Sequence, residues 1–355
     1  MKILIIGNMG YVGPGTIKQL RKSYPDAELI GYDIGYFANR LTNAILLPEV
    51  VLNSQIIGDV RKFPANLLEG VDAVIYLAAI SNDPMGAKYE DVTLDVNYRS
   101  CVRISYMARE AGVKSFVFAS SCSMYGLADQ YPKTENDSLN PLTAYARSKV
   151  FSERELELLA TGDFTITCLR FATACGMSDR LRLDLVLNDF VAGAITTGEI
   201  TILSDGTPWR PLINVLDMAR AIDWAVTREQ HNGGAFLAVN AGSNEWNYQV
   251  RDLAQAVADL IPNCRVILNR EAQPDKRSYR VSFDLFAKLA PDHQPIHDLH
   301  HTIEKLYEGI SKIGLNDPKF RESKYMRLKI LSGLQEASLL NDDLSWTWEQ
   351  QMVLK

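Results

Sequence analysis

The chain has 355 residues, 47% of them hydrophobic and 23% charged, and a net charge of −6. That balance suits a globular protein long enough for two lobes on a shared core, and it excludes a wholly disordered chain. The acidic charge argues against a nucleic-acid binder, while local arginines still suit an anionic small molecule. No run approaches the roughly 20 apolar residues that span a bilayer, so no membrane association is expected.

The N-terminal apolar run, residues 3–6, is shorter than the core of a secretion signal, so it reads as a buried strand and the cytoplasm as the compartment. Cys101, Cys122, Cys168, Cys175 and Cys264 are odd in number, scattered and without CxxC spacing. Neither a disulfide framework nor a zinc site is expected. His297, His300 and His301 read as a solvated helix end rather than metal ligands.

In chain order, strands are predicted over 2–6, 28–33, 55–57, 73–77, 115–120 and 164–171. Helices are predicted from Gly13 to about Arg21, over 89–111 and over 144–160. Apolar strands alternating with helices imply a parallel sheet covered on both faces, a doubly wound α/β (Rossmann) fold. After Gly176 the pattern changes to a helix over 183–197, strands over 199–203 and 212–215, and a helix N-capped by Asp217. A strand over 236–240 and helices over 248–261 and 297–312 follow. The tail over 316–340 reads as mostly helical. The predicted division is a dinucleotide-binding domain over 1–173 with 213–240 returning to it. A smaller α/β substrate lobe covers 174–212 and 241–315, and a helical extension covers 316–355.

Gly7-Asn8-Met9-Gly10-Tyr11-Val12-Gly13 follows the first strand at once, with the spacing GxxGxxG. Gly7 can make the sharp turn, Gly10 can admit a pyrophosphate, and Gly13 can let helix and sheet pack closely. By itself the triplet is equally a plain tight turn; its place between strand and helix favours a cofactor. Asp33 ends the second strand, where a carboxylate accepts ribose hydroxyls and repels a 2′-phosphate, favouring NAD over NADP. The alternative is a surface aspartate that starts a loop.

Tyr145 and Lys149 are four apart and share a helix face. Alone, the pair reads better as an exposed helical pair with no role. As a catalytic pair, Tyr145 is the acid/base, and lowering a phenol by three pKa units takes about 4 kcal/mol, from Lys149 and a positive nicotinamide. Ser120-Ser121-Cys122-Ser123-Met124-Tyr125-Gly126 closes the fifth strand, where open α/β sheets hold ligands.

The glycine loop, this serine segment and the Tyr145–Lys149 helix, in this order and spacing, resemble the extended short-chain dehydrogenase/reductase family over about residues 1–315. The resemblance implies Ser121, Tyr145 and Lys149 as catalytic residues, with Ser123 and Ser81 beside the substrate. It implies that Met9, Tyr11 and Val12 join the glycines at the cofactor, with Asp59 and Val60 at adenine. Leu77, Ala78 and Ala79 lie along the phosphates and ribose, and Asn97 supports the active-site helix. It further implies a homodimer and a nucleotide-diphosphate sugar as substrate.

For that substrate the candidates are Thr173, Arg180, Arg182, Asn188, Arg210, Asp275, Arg277 and Tyr279. Arg210, in Asp205-Gly206-Thr207-Pro208-Trp209-Arg210, resembles the family's diphosphate-binding arginine, whose fork matches phosphate oxygens. Thr173 stands where the family often has asparagine, and Pro211 where aspartate usually follows the arginine. A further phosphate-contacting arginine would fall at Ala272.

The related dehydratases place Asp-Glu directly after their serine or threonine; here Cys122 and Ser123 stand there. The related 3,5-epimerases place a cysteine at the position of Ser123. The expected reaction is therefore hydride transfer at one carbon, by analogy C4, in a 4-epimerase. The alternative is a ketoreductase or dehydrogenase; a 4,6-dehydratase and a non-catalytic NAD sensor rank lower.

Overall fold

The computed structural model describes residues 1–127, 131–202, 204–268 and 278–348. The first half runs β1 (Lys2–Ile6), α1 (Gly13–Ser23), β2 (Glu28–Asp33), β3 (Ser54–Ile57), β4 (Ala73–Tyr76), α2 (Asp83–Lys88), α3 (Glu90–Leu94), α4 (Ser100–Glu110), β5 (Ser115–Ser121), α5 (Ala144–Leu159) and β6 (Thr165–Phe171). The second half runs β7 (Thr173–Cys175), α6 (Val186–Thr197), β8 (Glu199–Ile202), β9 (Trp209–Asn214), α7 (Val215–Val226), β10 (Phe236–Ala241), β11 (Asn247–Gln249), α8 (Val250–Leu260), β12 (Arg265–Leu268), α9 (Asp284–Leu289), α10 (Leu299–Lys312) and α11 (Arg327–Glu336).

Seven strands pair in parallel in the order β10-β6-β5-β4-β1-β2-β3. Strand side chains alternate between faces. Ile3, Ile5, Leu29 and Ile75 pack with Ile17 and Leu20 of α1 and Ile222 of α7. Leu4, Ile6, Ile30, Val74 and Tyr76 pack on the other face with Ile104 and Ala108 of α4 and Leu156 of α5. With both faces buried, the strands read as continuous apolar runs. No described helix is long and apolar enough to cross a membrane.

Another cluster joins Leu187 and Val191 of α6, Ile200 and Ile202 of β8, Leu253 and Val257 of α8, and Ile303, Leu306 and Ile310 of α10. Two small sheets accompany it, β11-β9-β7 and β12-β8. Strands β7, β11 and β12 were not anticipated, being three or four residues long, and β11 takes the first residues of the helix expected over 248–261, which starts at Val250.

The helix expected over 89–111 is divided. A π-helical turn at Asp95–Arg99 separates α3 from α4. The N-cap of α7 is Asn214, whose side chain accepts from Leu216 N, and not Asp217. The Asp217 carboxylate instead takes the backbone N–H groups of Ile296 and His297 and lies 2.9 Å from His297 Nδ1. The tail is less helical than expected. Within it, α11 is accompanied by one short turn at Phe320–Glu322.

Candidate active site

A cavity of about 870 Å³ opens across the carboxyl ends of β2, β1, β4, β5 and β6. This is the crevice where open α/β sheets hold ligands.

The three glycines of the β1–α1 loop differ in what they do. Gly7 has φ +88°, and a Cβ there would lie 2.3 Å from Ala78 N. A Cβ on Gly13 would lie 1.7 Å from Asn8 O, so this glycine is fixed by packing. A Cβ on Gly10 would meet only Gly7 O, at 3.4 Å, and Gly10 lines the cavity. Its bareness serves a ligand rather than the fold. The first turn of α1 has no side-chain cap, which leaves backbone N–H groups for an anion. The loop therefore fits a dinucleotide's diphosphate.

Asp33 is held from both sides: Met9 N donates to Oδ2 at 2.9 Å and Gly35 N to Oδ1 at 2.7 Å. Burial pushes its carboxyl pKa up, and these two bonds oppose the shift. Tyr11, Val12, Asp33, Asp59, Val60, Leu77, Ala78 and Ala79 all line the cavity. Asp59 arrives already engaged by the Arg61 guanidinium, at 2.6 to 3.1 Å. Met9 and Asn97 act from behind the lining. Asn97, on the π-helical turn, accepts from Ile80 N at 2.8 Å and donates to Ser148 Oγ of α5 at 3.2 Å. It thereby ties the β4 loop to the helix that carries Tyr145.

Ser121 ends β5, and Thr143 Oγ1 caps α5 by accepting from Ala146 N at 3.2 Å. These two ends bring Ser121 and the Tyr145 side chain together at the cavity, close enough for Ser121 to favour the ionised phenol. Ser123 Oγ lies 2.9 Å from Ser121 Oγ. Tyr145 is half-buried, and desolvation pushes its phenol above the ordinary value; neighbouring Ser121 and the Arg182 charge pull the other way. Lys149 donates to the Ala119 carbonyl at 2.6 Å and stands 5.5 Å from the Tyr145 ring centroid. Burial lowers its ammonium to about 8. Lys149 and a bound nicotinamide are the acidifying charges expected from the sequence; in the folded chain Ser121 and the Arg182 charge add a pull in the same direction.

Cys122 is buried against the Arg170 carbonyl, 3.0 Å from its Sγ, and burial pushes the thiol up. It is a packing residue.

Ser81, Ser123, Thr173, Arg182, Arg210 and Tyr279 line the rest of the cavity. Arg182 forks onto Asp184 at 2.6 and 2.9 Å and onto the Ser81 hydroxyl at 2.8 Å. Asn82 has φ +127° and ψ 164°, a region costing a non-glycine residue on the order of 1–3 kcal/mol. It is held there by Asp184 Oδ2, 2.8 Å from its Nδ2, and by Met85 N, which donates to its Oδ1 at 2.9 Å.

Two assigned substrate residues are structural. Arg180 is fully buried, forked onto Glu49 at 2.7 and 3.1 Å, with its remaining donors on the Phe37 and Ala38 carbonyls. Asn188 spends its amide on Gly176 N, Tyr11 Oη and the Arg182 carbonyl. Neither lines the cavity. Asp275 and Arg277 lie outside the described residues. Asp184, Asn82 and, from the tail, Arg321, Arg327 and Leu331 line the cavity without having been anticipated. No sequence motif marks them.

A parallel sheet with this glycine loop, and a half-buried tyrosine set beside a strand-end serine at the cavity, define an extended short-chain dehydrogenase/reductase. Within that class the chain belongs to the NAD dependent epimerase/dehydratase family, whose sequence pattern matches residues 3–242. NAD is its cofactor, consistent with the bare cavity face at Gly10.

The chain is 31% identical over 257 residues to an uncharacterised UDP-glucose epimerase of Bacillus subtilis (strain 168), covering 69% of this chain and 78% of that protein. It is 27% identical over 239 residues to a UDP-glucose 4-epimerase of Lactobacillus helveticus, covering 63% and 69%. The fold is shared with a UDP-glucose-4-epimerase from Stenotrophomonas maltophila solved with NAD and formylated UDP-arabinopyranose. That match has a TM-score of 0.76 and 22% identity, covering 88% of this chain and 99% of that one. It is likewise shared with a UDP-glucuronic acid 4-epimerase from Bacillus cereus in complex with NAD, with a TM-score of 0.73 and 19% identity, covering 92% and 100%.

Proposed function

We propose that this protein is an NAD-dependent nucleotide-sugar 4-epimerase. The observation that carries the reading is the Ser121–Tyr145 pair lining the cavity side by side, with no carboxylic acid next to Ser121. Cys122 is buried and Ser123 is a hydroxyl, so the strand end supplies no acid to expel water. The relatives named as UDP-glucose epimerases support the same reading.

Held by the glycine loop and Asp33, NAD would supply the acceptor and donor of a hydride at sugar C4. Tyr145 Oη removes the proton of the C4 hydroxyl as the C–H bond breaks, giving a ketone two electrons poorer. After the ketone turns over in the site, the same phenol returns the proton as the C–H bond re-forms on the other face. The net redox change is nil. Ser121 and Ser123 hold the reacting oxygen against the phenol. Arg182 holds Ser81 beside it and favours the charged form of Tyr145. Arg210, Thr173 and Tyr279 receive the nucleotide diphosphate. Exposed Tyr106, Phe151 and Leu158 on α4 and α5 support a homodimer through these helices, which sedimentation at twice the chain mass checks.

The test supplies UDP-glucose deuterated at C4, and further UDP-sugars if it is inert, to protein that carries its own NAD. Inverted product that keeps its deuterium without net nicotinamide reduction is expected. Stoichiometric nicotinamide reduction identifies a dehydrogenase instead, and loss of water from the sugar identifies a dehydratase.

A further inference from the structure

We propose that the tail over 320–346 is a strap across the dinucleotide site, and that Arg327 is its ligand for the cofactor's diphosphate. The sheet order places β1 between β4 and β2, and the glycine loop leaves from the end of β1. Leu331, Leu340 and Leu344 of the tail pack on Tyr36, just past β2, and on Ile80, Met85 and Tyr89, past β4. A segment seated on both banks must cross what lies between them.

Polar ties hold it on each side. On the β2 bank Trp346 Nε1 donates to the Ile34 carbonyl at 2.8 Å, and the Tyr36 hydroxyl donates to the Leu344 carbonyl. On the β4 bank Tyr89 Oη donates to Gln335 Oε1 at 2.7 Å and Lys88 Nζ to Ser332 Oγ at 2.8 Å. Arg61, which grips Asp59, also donates to the Asp343 carbonyl at 2.6 Å.

Arg327 lines the cavity while only 2% exposed. Its guanidinium lies 4.0 Å over the Phe37 ring, four residues past Asp33, and Nη2 donates to the Arg180 carbonyl at 2.8 Å. Nη1 is buried and has no partner among the described residues. The acidic groups around it are committed elsewhere: Glu49 to Arg180, Asp184 to Arg182, and Asp33 to two backbone N–H groups. Burial and the nearby charges of Arg182 and Arg180 lower its pKa to about 9.

A buried cation among like charges is unfavourable unless an anion joins it. The glycine loop below offers backbone N–H groups and Gly10's open face to the same anion. A diphosphate satisfies both sides at once, and the guanidinium fork suits its oxygens. The inference rests on NAD as the cofactor and is independent of which sugar reacts.

The experiment uses full-length Arg327→Gln and Arg327→Lys proteins, stripped of cofactor and titrated with NAD, ADP-ribose and adenosine. The Gln variant is expected to bind NAD and ADP-ribose about tenfold or more weakly, from loss of a charged hydrogen bond, with adenosine unchanged. The Lys variant is expected to recover part of the loss. The melting temperature of the stripped Gln variant is expected to hold or rise, since an unpaired buried charge is gone. UDP binding at saturating NAD is expected to stay at the wild-type level. Undiminished NAD affinity in the Gln variant overturns the proposal, as does a loss confined to UDP. A lowered melting temperature with equal weakening for adenosine makes Arg327 a packing residue and also overturns it. Failure of wild-type protein to bind NAD overturns the cofactor assignment itself.

Discussion

The Lys149 ammonium and the Ala119 carbonyl meet at 2.6 Å, pinning α5 to the end of β5 from inside the protein. The lysine is 2% exposed and stacks 4.5 Å from the Phe118 ring. It is an active-site cation kept at the expense of stability.

Its folded pKa of about 8 is below the ordinary 10.5. Below pH 8 both folded and unfolded chains carry the proton and the burial cost is fully present. Between the two values the unfolded chain binds more protons, so stability rises with pH. Lys149→Met is therefore expected to stabilise the cofactor-free protein at pH 7 by up to roughly 3 kcal/mol, with the gain shrinking toward pH 10. Urea unfolding at both pH values checks this, and turnover is expected to fall in the same variant.

Tyr145→Phe removes the group that handles the proton and leaves the ring in place. Turnover is expected to fall on the order of 10²–10⁴-fold, with NAD still bound. A variant that keeps full activity places the acid/base elsewhere.

Gly10→Ala and Gly13→Ala separate ligand space from packing space. The first meets one atom at 3.4 Å and is expected to fold normally but bind NAD weakly. The second drives a methyl to 1.7 Å from Asn8 O and is expected to melt far lower. Thermal melts with and without NAD distinguish them.

Arg210→Ala is expected to weaken nucleotide-sugar affinity roughly tenfold or more, chiefly in KM, because a charged contact to phosphate is lost. Equal affinity in that variant returns the arginine to a surface role.

Arg180→Ala is expected to cost about 3–5 kcal/mol by stranding the Glu49 carboxylate in a buried site. Substrate affinity of the folded fraction is expected to be unchanged. Chemical denaturation paired with substrate titration reads both.

The sequence by itself determined the sheet, because strands buried on both faces must be apolar throughout, and β1, β2 and β4 show it. It also made legible the glycine loop and the Tyr145–Lys149 pair, whose spacings are local to one turn or one helix face, while Ser121 was reached through the resemblance of its strand-end segment. Only the tertiary structure decided which arginines face the cavity. Arg180 and Arg182 are neighbours of the same type, yet one is closed off by Glu49, 131 residues away, and the other faces the cavity. The tail was equally opaque: Arg327 reaches the site through contacts with Phe37 and Arg180, far away in the chain. Charge alone does not announce its partner, and pairing across such separations is fixed by packing rather than by periodicity.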